Sequence, residues 1–428
     1  MPSVILATAP IHGHVNAYLP IARHLVTRGD DVRFLTGSRF AGPVAATGAR
    51  HVPLPAVSDF DDREDMNSRF PERAELRGAR AIGFDVEHYF VLPGRGQYEV
   101  LTAELASDPA DVVVADPVFI GAAYLLSLPA PRRPAVLVGS HLPLPLASRD
   151  TAPYGMGLAP APVLNRLRNR VLGALASGVM KGANSVAETD HLAIFGRPLP
   201  TPVMDWLARA DAIAQFTVAE FEYPRSDAPP ALHFVGPIHG PGQRFDAPTW
   251  WDELDGSRPV VHVTQGTIAN KDFSQLVTPT VEALADEDLL VVVSAGGRPV
   301  DTLPPLPSNA RAASYLDYDQ LLPKTDVFVT NGGYGGVQTA LRHGLPVVVT
   351  GGKEDKPEVG ARIAWSGTGI RCKQERPSPD SLRRAIRRIL ADDRYRTSAQ
   401  QLARRMTDAP GLTGLSTLID DLSIPATA

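Results

Sequence analysis

The sequence predicts an α/β protein of two doubly wound domains that face each other across a cleft. Three observations predict it. The chain opens on a strand–loop–helix–strand unit, and the same alternation restarts beyond residue 245, after a stretch rich in proline and glycine. At 428 residues the chain is too long for one ordinary core, whereas two domains of ~200 residues are natural. Repeated βα units imply parallel sheets with right-handed crossovers.

Residues 3–8 (SVILAT) read as the first strand. The loop APIHGHVN leads into a helix in which Leu19, Ala22, Leu25 and Val26 recur at helical spacing and Gly29 marks the end. A helix starting near Asn16 would leave Pro20 close to its first turn, where proline is tolerated. DVRFLTG, DVVVAD (111–116) and AVLVGS (135–140) are further strands, and residues 141–200, irregular and rich in Pro, Ala and Leu, suit loops and helices that either shape a pocket or serve as packing insertions. After the Pro/Gly cluster come PVVHVTQGT, a helix near 272–286, LLVVVSAGG, DVFVTNGGYGG, PVVVTGG, a helix through 358–366 and TGIRC. The expected division is 1–221, a linker over 222–245, a second domain over 246–405, and a tail over 406–428 that packs back on the first domain.

Composition narrows the function. The formal net charge of −5 argues against a nucleic-acid binder. A lone Cys372, no basic leader and no run of ~20 apolar residues point to a cytoplasmic enzyme without a membrane span. Neither zinc-ligand spacing nor a G-x-S-x-G elbow is present, and no metal site is expected. DFDDRED (59–65) has five acids but no ligand spacing, and reads as a solvated loop. The basic helix 381–390 reads as a solvated amphipathic face.

Two constellations carry chemistry. His12-Gly13-His14 lies at the turn of the first βα unit, where a neutral imidazole with a pKa near ~6.5 suits proton removal from a hydroxyl. Alone, such histidines more often bond to the turn. Asp116, closing a buried strand at the same sheet edge, supplies the carboxylate that orients a base. The second constellation is Asn331-Gly332-Gly333-Tyr334-Gly335-Gly336-Val337, a strand running into a glycine-rich loop that opens a helix. Backbone amides and the helix dipole there favour a diphosphate, and the pattern fits neither the G-x-G-x-x-G nor the Walker spacing. Gln265-Gly266-Thr267 is a second turn at the same cleft, and Asp355-Lys356 place hydrogen-bonding groups at its rim. His141 follows a strand end and is either an acceptor contact or a turn cap.

These residues resemble the GT-B glycosyltransferases of family 1, which include bacterial macrolide transferases and UDP-glucuronosyltransferases. The resemblance spans nearly the whole chain and implies two Rossmann-like domains, the first for the acceptor and the second for the nucleotide sugar. The family's G-H-x-N-P reads Gly13-His14-Val15-Asn16-Ala17, so its base falls on His14 and its dyad partner on Asp116. Its donor loop H-x-G-x-G-S reads Asn331 to Gly336, with Asn331 and Gly336 replacing the usual histidine and serine. Its acid–glutamine sugar pair reads Asp355-Lys356, and Tyr315-Leu316 match the stretch that packs on the nucleobase. The resemblance implies inverting, metal-independent transfer from a UDP- or dTDP-sugar co-substrate to a small lipophilic acceptor, by a monomer or homodimer. A nucleotide-sugar 2-epimerase and a non-catalytic activator of a partner transferase are the alternatives.

Overall fold

The computed structural model describes residues 1–64, 66–240, 246–267 and 270–424. Seven strands build the first sheet: β1 (Ser3–Ala7), β2 (Asp31–Thr36), β3 (Arg50–Pro53), β4 (Val112–Ala115), β5 (Ala135–Ser140), β6 (Ala212–Gln215) and β7 (Leu232–Phe234). Six build the second: β8 (Val260–Thr264), β9 (Leu290–Ser294), β10 (Ala310–Ala313), β11 (Val327–Thr330), β12 (Val347–Val349) and β13 (Gly369–Arg371). Their orders are β3-β2-β1-β4-β5-β6-β7 and β10-β9-β8-β11-β12-β13, with every pairing parallel. Central strands such as Val112–Ala115 and Val327–Thr330 are buried along their length, as sheets covered on both faces require.

The helices that bear on the site are α1 (His12–Arg28), α2 (Asn165–Val179), α3 (Lys181–Phe195), α4 (Val277–Leu284), α5 (Tyr334–Arg342), α6 (Lys356–Trp365), α7 (Pro379–Ala391) and α8 (Gly411–Ser423). In both sheets the winding reverses direction once, between β1 and β4 and between β8 and β11. Such switch points open a crevice at the strand C-termini, where doubly wound sheets bind ligands.

Two local expectations change. Helix α1 begins at His12 rather than near Asn16, so His14 lies in its first turn and Pro20 in its interior. Its N-cap, Ile11, offers no side-chain cap; Asp62 Oδ2 supplies one from a distance by accepting the His12 N–H at 2.6 Å. The acidic loop is therefore not simply solvated: Asp61 and Asp62 pair with Arg39, and Asp59 accepts from the Ser38 N–H at 3.1 Å. Residues 141–200 hold the expected mixture of loop and helix, with α2 and α3 occupying the second half of the span. In α7, Arg383 and Arg387 pair with Glu287. The last helix, α8, packs Leu415 and Ile419 into the core beneath β1, β2, β4 and α1. Among the described residues no helix is long and apolar enough to cross a membrane.

Candidate active site

The first switch point joins residues far apart in sequence. Ala7 of β1 stands opposite Ala115 of β4, and the chain leaves both strands at one edge. One exit leads to the first turn of α1 with His14, the other directly to Asp116. His14 Nδ1 lies 3.1 Å from Asp116 Oδ2. Asp116 is fully buried, and its oxygens also accept the Ala9 N–H at 2.9 Å and the Val118 N–H at 2.7 Å. Burial pushes this carboxyl up, yet the adjacent His14, its hydrogen bond, His141 and the Ala9 amide together hold it below the usual range. A carboxylate at Nδ1 keeps the imidazole proton there and leaves the lone pair on Nε2. Nε2 has no hydrogen-bond partner among the described residues and is not sealed from solvent.

The two neighbouring histidines are differently employed. His12 Nε2 accepts from Asn16 Nδ2 at 2.7 Å, and burial lowers its pKa against the pull of Asp62. His141 packs its ring edge-on to that of His14, with centroids 4.4 Å apart. Neither of its buried nitrogens makes a well-formed hydrogen bond, and burial, helped by His14, pushes its pKa down to about 3. His141 is thus a neutral ring packed against His14.

The second switch point places Thr264 of β8 opposite Thr330 of β11. The turns that follow are tied together by Asn331, whose Nδ2 donates to the Gln265 carbonyl at 2.8 Å. Gly332 has φ +96°, and a Cβ there would stand 2.9 Å from Val349 Cγ2, so only glycine fits. At Gly13, Gly266, Gly333 and Gly335 a Cβ would meet nothing within 4 Å. These four glycines border open space. Helix geometry leaves the Tyr334, Gly335 and Gly336 amides of α5 without a carbonyl in their own helix, so the first turn can hold an anion.

Several expected donor contacts have other duties. Val337 is fully buried in the core and its N–H is bonded to the Gly333 carbonyl at 3.1 Å, so it has nothing to offer a ligand. Leu316 is likewise core, whereas Tyr315 beside it is 58% exposed. Gln265 Oε1 caps α4 by accepting the Leu276 and Val277 amides at 3.2 and 3.0 Å, and its Nε2 donates to the Asp272 carbonyl at 2.9 Å. Thr267 is exposed at the end of that turn.

Asp355 precedes α6 and lies within the electrostatic reach of His14, which places the two halves of the cleft face to face. Burial and Glu354 push its carboxyl up to about 6, against the opposing effect of Lys356 and His14. The Lys356 ammonium is bonded to Glu354, a non-glycine residue at φ +57°. The sequence reading passed over Tyr154, Glu222, Glu358 and Arg362, which cluster where the two domains meet. The G-M-G spacing after Tyr154 and the acid–arginine pair at i, i+4 in α6 were the available signals.

A profile described as "Erythromycin biosynthesis protein CIII-like, C-terminal domain" matches residues 278–421. The chain is 41% identical over 413 residues to the 4'-demethylrebeccamycin synthase of Lentzea aerocolonigenes, covering 93% of this chain and 94% of that protein. It belongs to the family 1 glycosyltransferases. This glycosyltransferase is also 33% identical over 441 residues to UDP-glycosyltransferase 2 of Phaeomoniella chlamydospora, with 99% and 96% of the two chains covered. Its fold is GT-B. The structure of the glycotransferase of kitacinnamycin superposes with a TM-score of 0.72 at 22% identity, over 99% of this chain and 100% of that one. The calicheamicin glycosyltransferase CalG4 gives 0.71 at 20% identity, over 99% and 98%. The chain is therefore an enzyme of the class that moves sugars from nucleotide sugars onto natural-product acceptors.

Proposed function

We propose that the enzyme catalyses inverting transfer of a sugar from a UDP- or dTDP-sugar to a hydroxyl of a small lipophilic acceptor, with His14 as general base. The His14–Asp116 contact carries this reading: a buried carboxylate at Nδ1 and a solvent-facing Nε2 make a base poised for an acceptor hydroxyl. As Nε2 takes the proton, the Asp116 charge stabilises the imidazolium. The acceptor oxygen then attacks the anomeric carbon on the face opposite the leaving diphosphate.

Opposite, the open space beside Gly333 and Gly335 fits the diphosphate, whose developing charge the first-turn amides of α5 stabilise. Asp355 accepts from hydroxyls of the transferred sugar, and exposed Tyr315 gives the nucleobase a flat partner. No metal is needed where amides and a helix terminus neutralise the leaving group. The division into 1–221, 222–245, 246–405 and 406–428 assigns the acceptor to the first domain and the nucleotide sugar to the second. A buried, unpaired Cys372 agrees with a reducing, cytoplasmic setting.

The test is a thermal-shift panel of UDP- and dTDP-sugars, followed by transfer assays on flat, lipophilic acceptors with the stabilising donor. Transfer with inversion at the anomeric carbon is expected. A retained configuration, or epimerisation of the donor without an acceptor, overturns the reading.

A further inference from the structure

The segment after β5 is fastened to α6 of the other domain through one buried carboxylate. Glu358 Oε1 accepts the Gly155 N–H at 3.0 Å and the Gly157 N–H at 2.7 Å. Those glycines have φ +92° and +58°, a backbone course that turns both amides onto one oxygen. Arg371 Nη1 adds a bond to the Gly157 carbonyl at 2.7 Å. Glu358 Oε2 accepts from Arg362 at 2.8 Å, and Arg362 in turn donates to Glu222 Oε2 at 2.8 Å. Glu222 closes the chain by accepting the Leu144 N–H at 2.9 Å. The Arg362 guanidinium also lies over the Tyr223 ring, 4.5 Å from its centroid. Arg362, Glu222 and Glu358 are 1%, 2% and 4% exposed.

Charges so buried add little net stability over an apolar packing, while leaving one of them unpaired is strongly destabilising. What they do impose is a single geometry. Asp355 stands three residues before Glu358 at the start of the same helix, so whatever fixes Glu358 also fixes Asp355. Tyr154, next to Gly155, has its phenol in the field of Asp355, Glu358, Arg362 and Glu222.

We propose that the Glu222–Arg362–Glu358 bridge is a positioning device that sets Asp355 against the transferred sugar and holds residues 151–157 as a wall between sugar and acceptor. Through this wall, ordering of the acceptor side and grip on the donor are coupled, and water is kept from the anomeric carbon. Arg362 touches neither substrate; it acts through Glu358 and Asp355. The inference rests on Asp355 being the sugar contact.

The experiment compares wild type with Glu358→Gln, Arg362→Lys and Gly155→Ala. Donor KM, kcat, the fraction of donor hydrolysed rather than transferred, and the acidic limb of kcat/KM are measured beside Tm. Glu358→Gln weakens the bonds to Arg362 and to the two glycine amides and so loosens Asp355; it is expected to raise donor KM by about tenfold and to raise the hydrolysed fraction. The part of the acidic limb that Asp355 sets, beside that of the base His14, moves down as the carboxyl becomes less buried; the charged or titratable groups facing Asp355 are Glu354 and Lys356 of its own loop, His14 of α1 and Tyr154. Gly155→Ala, where a side chain meets open space and only the backbone is strained, gives the same changes in smaller measure even if Glu358→Gln does not fold. Variants that lose Tm but keep the donor KM, hydrolysed fraction and pH limb of wild type overturn the proposal and leave a purely structural bridge. Asp355→Ala separates the two readings. Wild-type transfer and donor KM in that variant remove Asp355 from the sugar site, whereas impaired Asp355→Ala beside unaltered Glu358→Gln removes only the positioning role.

Discussion

Asp116 Oδ2 accepts from His14 Nδ1 and from the Ala9 backbone at nearly equal distances, 3.1 and 2.9 Å. The hydrogen bond from Ala9 ties the carboxylate, which directly follows β4, to the turn that leaves β1, so the imidazole is oriented from the edge of the sheet. Asp116→Asn is expected to keep the fold and lower kcat, because the amide cannot support an imidazolium and its NH2 competes for the site of the Nδ1 proton. Steady-state kinetics across pH check this, and an unchanged profile would reduce Asp116 to a strand-end residue.

His14→Ala should cut transfer by about 10²–10⁴-fold, the usual contribution of a general base, while stabilisation by the nucleotide sugar persists. His12→Ala should do far less, since that imidazole is engaged by Asn16 within its own helix. Equal losses in the two variants would contradict the assignment.

Gly332 and Gly335 should respond in opposite ways to alanine. At Gly332 the positive φ and the contact with Val349 make Gly332→Ala destabilising by about 1–3 kcal/mol. At Gly335 the added methyl meets open space inside a helix, so Tm should hold or rise. If the diphosphate seats there, Gly335→Ala nevertheless raises donor KM. Normal donor affinity in that variant would move the diphosphate elsewhere.

Asp355 gives a pH prediction of definite sign. Its carboxyl is raised to about 6 by burial and Glu354, so between about pH 4 and 6 the native state binds more protons than the unfolded one. Its contribution to stability is fully present below about pH 4 and is lost as pH rises through 6. Asp355→Asn should therefore melt above wild type at pH 7.5, with the gap closing toward pH 4, and should lose transfer with every accepted donor. Lys356→Gln, which frees Glu354 from its ion pair, should alter the ranking of kcat/KM among donor sugars. An unaltered ranking would remove Lys356 from donor choice.

Treatment with EDTA should leave activity nearly intact. Loss restored by a divalent ion would count against leaving-group stabilisation by α5.

Much of the fold was legible because buried parallel strands such as VVVA and VFVT are almost wholly apolar and run into Asp116 or into Asn331-Gly332. The pairing of His14 with Asp116 could be anticipated only as two residues at strand ends; that their strands are neighbours depends on sheet order, which periodicity does not encode. Gln265, Leu316 and Val337 show the opposite limit. Motif position located them beside the cleft, but whether each side chain faces ligand or core is decided by packing and capping partners far along the chain. The Glu222–Arg362–Glu358 bridge escaped notice for the same reason, its members lying up to 140 residues apart.

The return of α8 to the first sheet bears on how the two halves can move. The polypeptide passes between them once before β8 and once after α7, and the two passages touch: Gly411 donates its N–H to the Val235 carbonyl at 2.6 Å, and a Cβ on Gly236 would stand 2.4 Å from that of Ala409. Two tethers fixed side by side act as one pivot. Rotation about it is opposed by the buried Glu222–Arg362–Glu358 bridge, but sliding or separation of the halves would have to break both tethers as well. A single proteolytic nick in either passage should thus leave an assembled enzyme, while removing α8 turns a hinge with a defined axis into a simple leash.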